Sequence, residues 1–134
     1  MMIWAVAIGS AFGGVVRFLL SGVLQRASGT TFPLWTLVIN VTGSLALGFL
    51  MRYLGEGVAV SAQVRALLTV GVCGGYTTFS TFSYETVTLF TAGDWKRAAS
   101  YALASVTLSL FAVGVGVTAA RTLIEAVRDR AAIP

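Results

Sequence analysis

Apolar residues in this chain fall into four long runs, near 3–24, 34–51, 64–90 and 98–120, separated by short polar stretches. Each run holds about 18 to 27 residues, and a helix needs roughly 20 to cross the hydrocarbon of a bilayer. The pattern predicts an all-α membrane protein, one domain spanning 1–134 with four transmembrane helices, without linker, low-complexity tract or internal repeat. Gly9-x-x-x-Gly13 in the first run and Ser44-x-x-x-Gly48 in the second are spacings suited to close helix contact. Gln25 to Thr31 reads as a polar loop ending at Phe32-Pro33, and Arg52 to Gln63 as a glycine-containing loop. Gly93-Asp94-Trp95-Lys96-Arg97 reads as a turn with Trp95 as an interfacial anchor, and Arg121 to Pro134 as a charged amphipathic tail.

The third run is the irregular one. Its middle is Gly71-Val72-Cys73-Gly74-Gly75-Tyr76-Thr77-Thr78-Phe79-Ser80-Thr81-Phe82-Ser83, where an ordinary membrane helix would carry Leu, Ile and Val. Each glycine of the pair costs a helix interior roughly 1 kcal/mol relative to alanine. Five hydroxyl residues then follow within seven positions, and each needs a hydrogen-bond partner away from water. Non-helical backbone at membrane depth persists only where protein buries it or it lines a wet cavity. The stretch therefore predicts a helix broken in mid-membrane that builds a site. The competing reading is close helix approach through the glycines, with the hydroxyls bonded back to carbonyls of the preceding turn.

Composition sharpens the class. Of 134 residues, 57% are hydrophobic and only 10% charged, against roughly 25% charged in soluble domains. The net charge of +4 sits mostly at the segment ends, which fits anionic headgroups and not nucleic acid. With no histidine and a single cysteine, Cys73, neither a disulfide framework nor a Cys/His zinc site is available. The first run is too long for a signal-peptide core. Four spans place Arg52, Arg65, Arg121, Arg128 and Arg130 on one side of the membrane, against Arg26, Lys96, Arg97 and, if it snorkels outward, Arg17 on the other. Orientation follows the Lys/Arg bias, and five against four is almost none, which suits either insertion both ways round or an ordinary topology set weakly by the three arginines of the tail.

Several polar residues interrupt the runs. Asn40, midway along the second, offers two N–H donors and an acceptor, suited either to an anion or to bonding between helices. Phe79 and Phe82, three apart, share a helix face. Their positive ring edges suit an anion path, although two phenylalanines on a membrane helix also suit plain packing. Tyr101, Ser105 and Ser109 recur at i, i+4, i+8, a stripe of hydroxyls on one face of the fourth segment. Such a stripe either replaces an anion's hydration shell in steps or bonds neighbouring helices. Arg17 and Glu85 are ionisable residues within apolar runs, which points either to function or to pairing with a partner near the interface. There is no nucleophile–base pair, metal cluster or phosphate loop, so an enzyme is not expected.

Taken together, these motifs resemble the Fluc or CrcB family of fluoride channels. The run at 71–83 resembles its signature, Gly13-Gly14-Val15-Val16-Arg17 its first-helix motif, and Asn40-Val41-Thr42-Gly43-Ser44 its second-helix motif. The resemblance covers nearly the whole length. Tyr76 departs from it, standing where Leu or Phe is more usual, with little consequence expected. The resemblance implies an antiparallel, dual-topology homodimer in the cytoplasmic membrane of a prokaryote, with two fluoride pores and one structural sodium ion at its centre. It implies passive export of fluoride. Gly74 and Thr77 would give backbone carbonyls to the sodium ion. Asn40, Phe79, Phe82, Tyr101, Ser105 and Ser109 would line the pores, and Arg17 and Glu85 would have vestibule or gating roles. The residues alone reach a broken helix, balanced charge and polar stripes; fluoride comes only from the resemblance.

The main rival is a small dual-topology multidrug or cation exporter, of similar size and charge balance. Such exporters couple protons through a carboxylate in the first helix, and the first run here has no acidic residue. A passive subunit of a larger membrane complex would have no need of a broken helix filled with hydroxyls.

Overall fold

The computed structural model of the chain describes residues 1–28 and 32–131, and the side chains of these apart from 24–28. Helix α1 is Met2–Ser28. Helix α2, Leu34–Arg52, passes directly into a π-helical turn, Tyr53–Gly57. Helix α3, Ala62–Ala66, runs on through a π-helical segment, Leu67–Cys73, into the single turn α4, Gly74–Tyr76. Helix α5 is Phe79–Thr91 and helix α6 is Trp95–Ala131. Among the described residues, three stretches are long and apolar enough to cross a membrane: Met2–Val23, Leu34–Gly57 and Trp95–Ala131. The third apolar run is instead divided, because Thr77 and Thr78 leave helical conformation between α4 and α5.

Helix ends lie beyond the apolar runs at most boundaries. α1 continues to Ser28, into what reads as a loop, and the π-helical turn takes up the first part of the expected 52–63 loop. The third run opens earlier, at Ala62, where the Ser61 side chain accepts from the Val64 N–H as an N-cap. The expected separate tail is not separate: α6 runs unbroken through Arg121 to Ala131. Hydropathy marks only the membrane-embedded part of a helix, and backbone hydrogen bonds carry it on into water. At 1.5 Å per residue, 37 residues reach roughly 55 Å, well beyond a hydrocarbon core of about 30 Å. The side chain of Arg26, residues 29–31 of the expected first loop and the last three residues of the expected tail lie outside what is described.

Two packing units make up the bundle. α1 lies against the 67–76 half of the third run, and α2 lies against α6, with α5 also resting on α6. Close approach is made through glycine in both. A Cβ on Gly13 would meet the Val72 carbonyl and stand 2.8 Å from the Tyr76 nitrogen. A Cβ on Gly116 would stand 2.8 Å from the Phe49 nitrogen. The core is correspondingly slim: α6 buries Ala98, Tyr101, Ser105, Ala112, Gly116, Ala120 and Ile124 in one stripe. Large apolar side chains such as Ile3, Trp4, Phe18 and Phe111 point outward, as suits a protein solvated by lipid. At the end where α2 and α6 leave the apolar zone, Arg128 donates to the Glu56 carbonyl at 3.1 Å and Arg65 to the Leu54 carbonyl at 2.7 Å. The α5–α6 turn uses Gly93 at φ 82°, a left-handed conformation that favours glycine.

The glycine contacts give a direct comparison. Gly13→Ala forces α1 away from α4 and is expected to destabilise the protein by about 1–3 kcal/mol. Gly14→Ala, with nothing within 4 Å of the added carbon, is expected to be neutral. Thermal unfolding of the two variants in detergent checks this; equal melting temperatures would show that the α1–α4 contact yields freely.

Candidate functional site

The glycine pair does not itself break the helix. α4 keeps right-handed helical geometry through Gly74 and Gly75, and the chain opens only at Thr77, φ −80° and ψ 159°, and Thr78, φ −150° and ψ 108°. The two threonines supply their own local ends. Thr77 N–H and Oγ1–H both donate to the Cys73 carbonyl at 3.0 Å, closing the first half. The Thr78 hydroxyl accepts from Thr81 N–H at 3.2 Å, capping the second half.

Part of what remains open is closed from the neighbouring helices. Asn40 meets the Thr78 peptide with both ends of its amide: Nδ2 donates to the Thr78 carbonyl at 3.1 Å, and Oδ1 accepts from Thr78 N–H at 2.8 Å. The side chain thus pairs with the extended backbone much as a neighbouring strand would. Arg17, half-buried on α1, donates from Nε to the Gly75 carbonyl at 3.2 Å. Its positive charge therefore lies at the carbonyl end of the α3–α4 half, where the helix dipole is negative. No partner among the described residues caps the carbonyls of Gly74 and Thr77.

A second cluster lies one helix turn away. Glu85 on α5 accepts from the Thr36 hydroxyl at 2.9 Å and from the Tyr101 hydroxyl at 2.7 Å. Thr36 and Tyr101 are among the most buried side chains of the molecule, 1% and 0% exposed. Tyr101 is also part of a ladder of rings. Phe79 and Phe82 lie 5.5 Å apart, Phe82 and Tyr101 5.4 Å, and Tyr101 and Phe32 5.6 Å edge to face.

Beside the break runs a groove of ≈ 340 Å³ lined by Asn40, Ser44, Thr77, Phe79, Phe82, Ser105 and Ser109, with apolar residues between them. None of its lining residues is charged. Ser105 is buried, and its hydroxyl has no hydrogen-bond partner among the described residues. Phe82 is half-buried, while Phe79 is 77% exposed and projects from the surface of the single chain.

The structure thus brings Asn40, Phe79, Phe82, Ser105 and Ser109 to one groove. It places Tyr101 just outside, its hydroxyl directed at Glu85. Arg17 lies on the other side of the break. Sequence reasoning passed over Thr36, although Thr36, Asn40 and Ser44 repeat at i, i+4, i+8, the same spacing that singled out the stripe on α6. It also passed over Thr78 as the partner of Asn40, for which 38 intervening residues leave no local signal.

Residues 4–117 match the family described as CrcB-like protein, Camphor Resistance (CrcB). A protein of Aquifex aeolicus named fluoride-specific ion channel FluC is 42% identical over 115 residues, covering 86% of this chain and 93% of that protein. Proteins of the same name from Paramagnetospirillum magneticum and Methanopyrus kandleri are each 47% identical. The first match covers 86% of this chain and 91% of the relative, the second 89% and 88%.

The Glu85 cluster yields a stability prediction. Glu85→Gln keeps the volume but turns one of two acceptors into a donor that faces a donating hydroxyl. One of Thr36 and Tyr101 then lacks an acceptor, and a loss of about 1–3 kcal/mol is expected. Thermal unfolding in detergent checks it; an unchanged melt would show that the two hydroxyls find other acceptors.

Proposed function

The chain belongs to the CrcB-like family, and we propose that it is a fluoride-selective channel that lets the anion leave the cytoplasm passively. It is a multi-pass membrane protein of the cell membrane, and it is not an enzyme. The observation that carries the reading is the uncharged groove. Fluoride is small and strongly hydrated, so a pathway has to replace its water without holding it too tightly to leave. Lys or Arg in the wall would trap the ion. Instead the wall offers Asn40, whose second amide hydrogen is not used by Thr78, together with the hydroxyls of Ser44, Ser105 and Ser109 and the edges of Phe79 and Phe82. Ring edges carry partial positive charge and attract an anion weakly. Relatives named fluoride-specific ion channels at 42% and 47% identity give the anion its identity.

The proposed assembly is an antiparallel homodimer of four-span subunits, the third span broken in mid-membrane, with two pores. Near-equal numbers of Lys and Arg at the two ends support insertion in both orientations. The exposed Phe79 ring supports a partner that covers it, so that each pore draws rings from both subunits. A structural sodium ion at the dimer axis is part of the proposal. The Gly74 and Thr77 carbonyls, uncapped by any described residue, fit a hard monovalent cation, and unwound carbonyls serve sodium in this way in other membrane folds. Bound there, the ion would complete the interface between the two broken helices. In the pore itself, Asn40 positions the break as well as facing the groove. Tyr101 acts through Glu85 and by stacking on Phe82, and Arg17 holds the Gly75 carbonyl beside the sodium site.

Fluoride efflux from liposomes containing only the purified protein tests the proposal. Electrogenic efflux without a proton gradient is expected. Efflux that requires proton exchange would favour the small exporter instead, which the acid-free first segment does not. Within the channel, Phe79→Ile and Phe82→Ile each keep hydrophobicity and nearly keep volume while removing the ring edge. Either is expected to cut flux tenfold or more, equivalent to about 1.4 kcal/mol, with assembly retained. Unchanged flux in both would reduce the rings to packing.

A further inference from the structure

Tyr76 makes a contact that nothing above has used. Its hydroxyl lies 2.9 Å from Thr42 Oγ1 on α2. Thr42 already donates its own proton to the Val38 carbonyl at 2.7 Å, so Tyr76 is the donor in the shared bond. The Tyr76 ring rests on Gly43, where a Cβ would stand 3.0 Å from Cδ1. Tyr76 is also the last residue of α4, immediately before the break.

Two ties from α2 therefore hold the two sides of the break. Thr42 holds Tyr76 on the near side, and Asn40 holds Thr78 on the far side. Residues two apart on a helix do not share a face. A single tie would leave α4 free to turn about it, whereas two ties from different faces of α2 fix both its position and its rotation. The carbonyls whose direction that rotation sets are those of Gly74, two residues before Tyr76, and Thr77, the residue after it.

We propose that Tyr76 is a positioning residue: through its hydroxyl bond to Thr42 it fixes α4 on α2 and so holds the Gly74 and Thr77 carbonyls in the spacing that a monovalent cation requires. The role in cation binding rests on the reading of those two carbonyls as sodium ligands. The clamp itself rests only on the geometry of Tyr76, Thr42 and Gly43.

The test uses the full chain and three variants, Tyr76→Phe, Thr42→Val and the double substitution. Each single change removes a hydroxyl and nearly keeps the shape. Two quantities are measured: the sodium concentration that gives half-maximal fluoride efflux from liposomes, and the rate of amide hydrogen exchange at Thr77 and Thr78. A hydrogen bond between membrane helices corresponds to about a threefold change in an equilibrium constant. Each single variant is expected to raise the sodium midpoint about threefold, and the double variant no further than either alone, since both remove one bond. An unchanged midpoint in both singles, or a double variant whose shift is the product of the two, overturns the proposal. If efflux from the unsubstituted protein is independent of sodium, the reading of the carbonyls as cation ligands fails, and exchange then decides the clamp. Exchange about threefold faster in both singles, with no further gain in the double, supports it; unchanged exchange overturns it.

Discussion

A peptide group that leaves a helix at apolar depth has to find another partner there, and Asn40 provides one for Thr78. An unmet N–H or C=O in hydrocarbon costs several kcal/mol. The extended pair Thr77–Thr78 would expose such groups beside Asn40, within the second apolar run. The side-chain amide offers both a donor and an acceptor, so a single residue satisfies both the N–H and the C=O of Thr78. Much else follows from that pairing. α2 has to stand close to the break, and Gly43 beside it keeps room for the Tyr76 ring and the Thr77 methyl group. α1 has to stand close on the other side so that Arg17 reaches Gly75, which Gly9 and Gly13 permit.

The same economy of polar groups governs the far side of the groove. Glu85 on α5 is held by hydroxyls from α2 and α6, so three helices meet at one carboxylate. The ring of Tyr101 meanwhile extends the stack begun by Phe79 and Phe82. Tyr101 thus links the polar cluster to the aromatic wall. Ser105, one turn along the same face, is one of two side chains, with Arg52, whose buried polar atom has no hydrogen-bond partner among the described residues. Buried polar atoms are seldom left so, and of these two the Ser105 hydroxyl lines the groove.

The helical membrane character of the chain was legible in four apolar runs, and the site of the break in a single stretch. The glycines mark the region but not the position, because Gly74 and Gly75 remain helical and the opening falls on the two threonines. Hydroxyl density, more than glycine, was the better guide, since Thr77 and Thr78 carry the bonds that end one half and start the next. Asn40 stood out as a polar residue in an apolar run, but its partner lies 38 residues away, and no periodicity reports a contact between runs. The polar stripe on α2 was as regular as that on α6 and passed unread at Thr36. Tyr76, expected to matter little, forms a bond with Thr42 that depends on how α2 and α4 are placed side by side. The full length of α6 was hidden because hydropathy falls where the helix leaves the membrane while its backbone bonds continue.

On the four-span reading proposed above, the broken segment is completed by α1 and α2 and so has a preferred moment to enter the bilayer. Alone in lipid, the 62–91 stretch would present the Gly75 carbonyl and the whole Thr78 peptide with no partner. Arg17 and Asn40, which satisfy them, lie upstream and leave the ribosome first. Translation order is then also the order in which the necessary partners reach the membrane. A permuted chain that delivered the third run before the first two would have to park open peptide groups in hydrocarbon until they arrived.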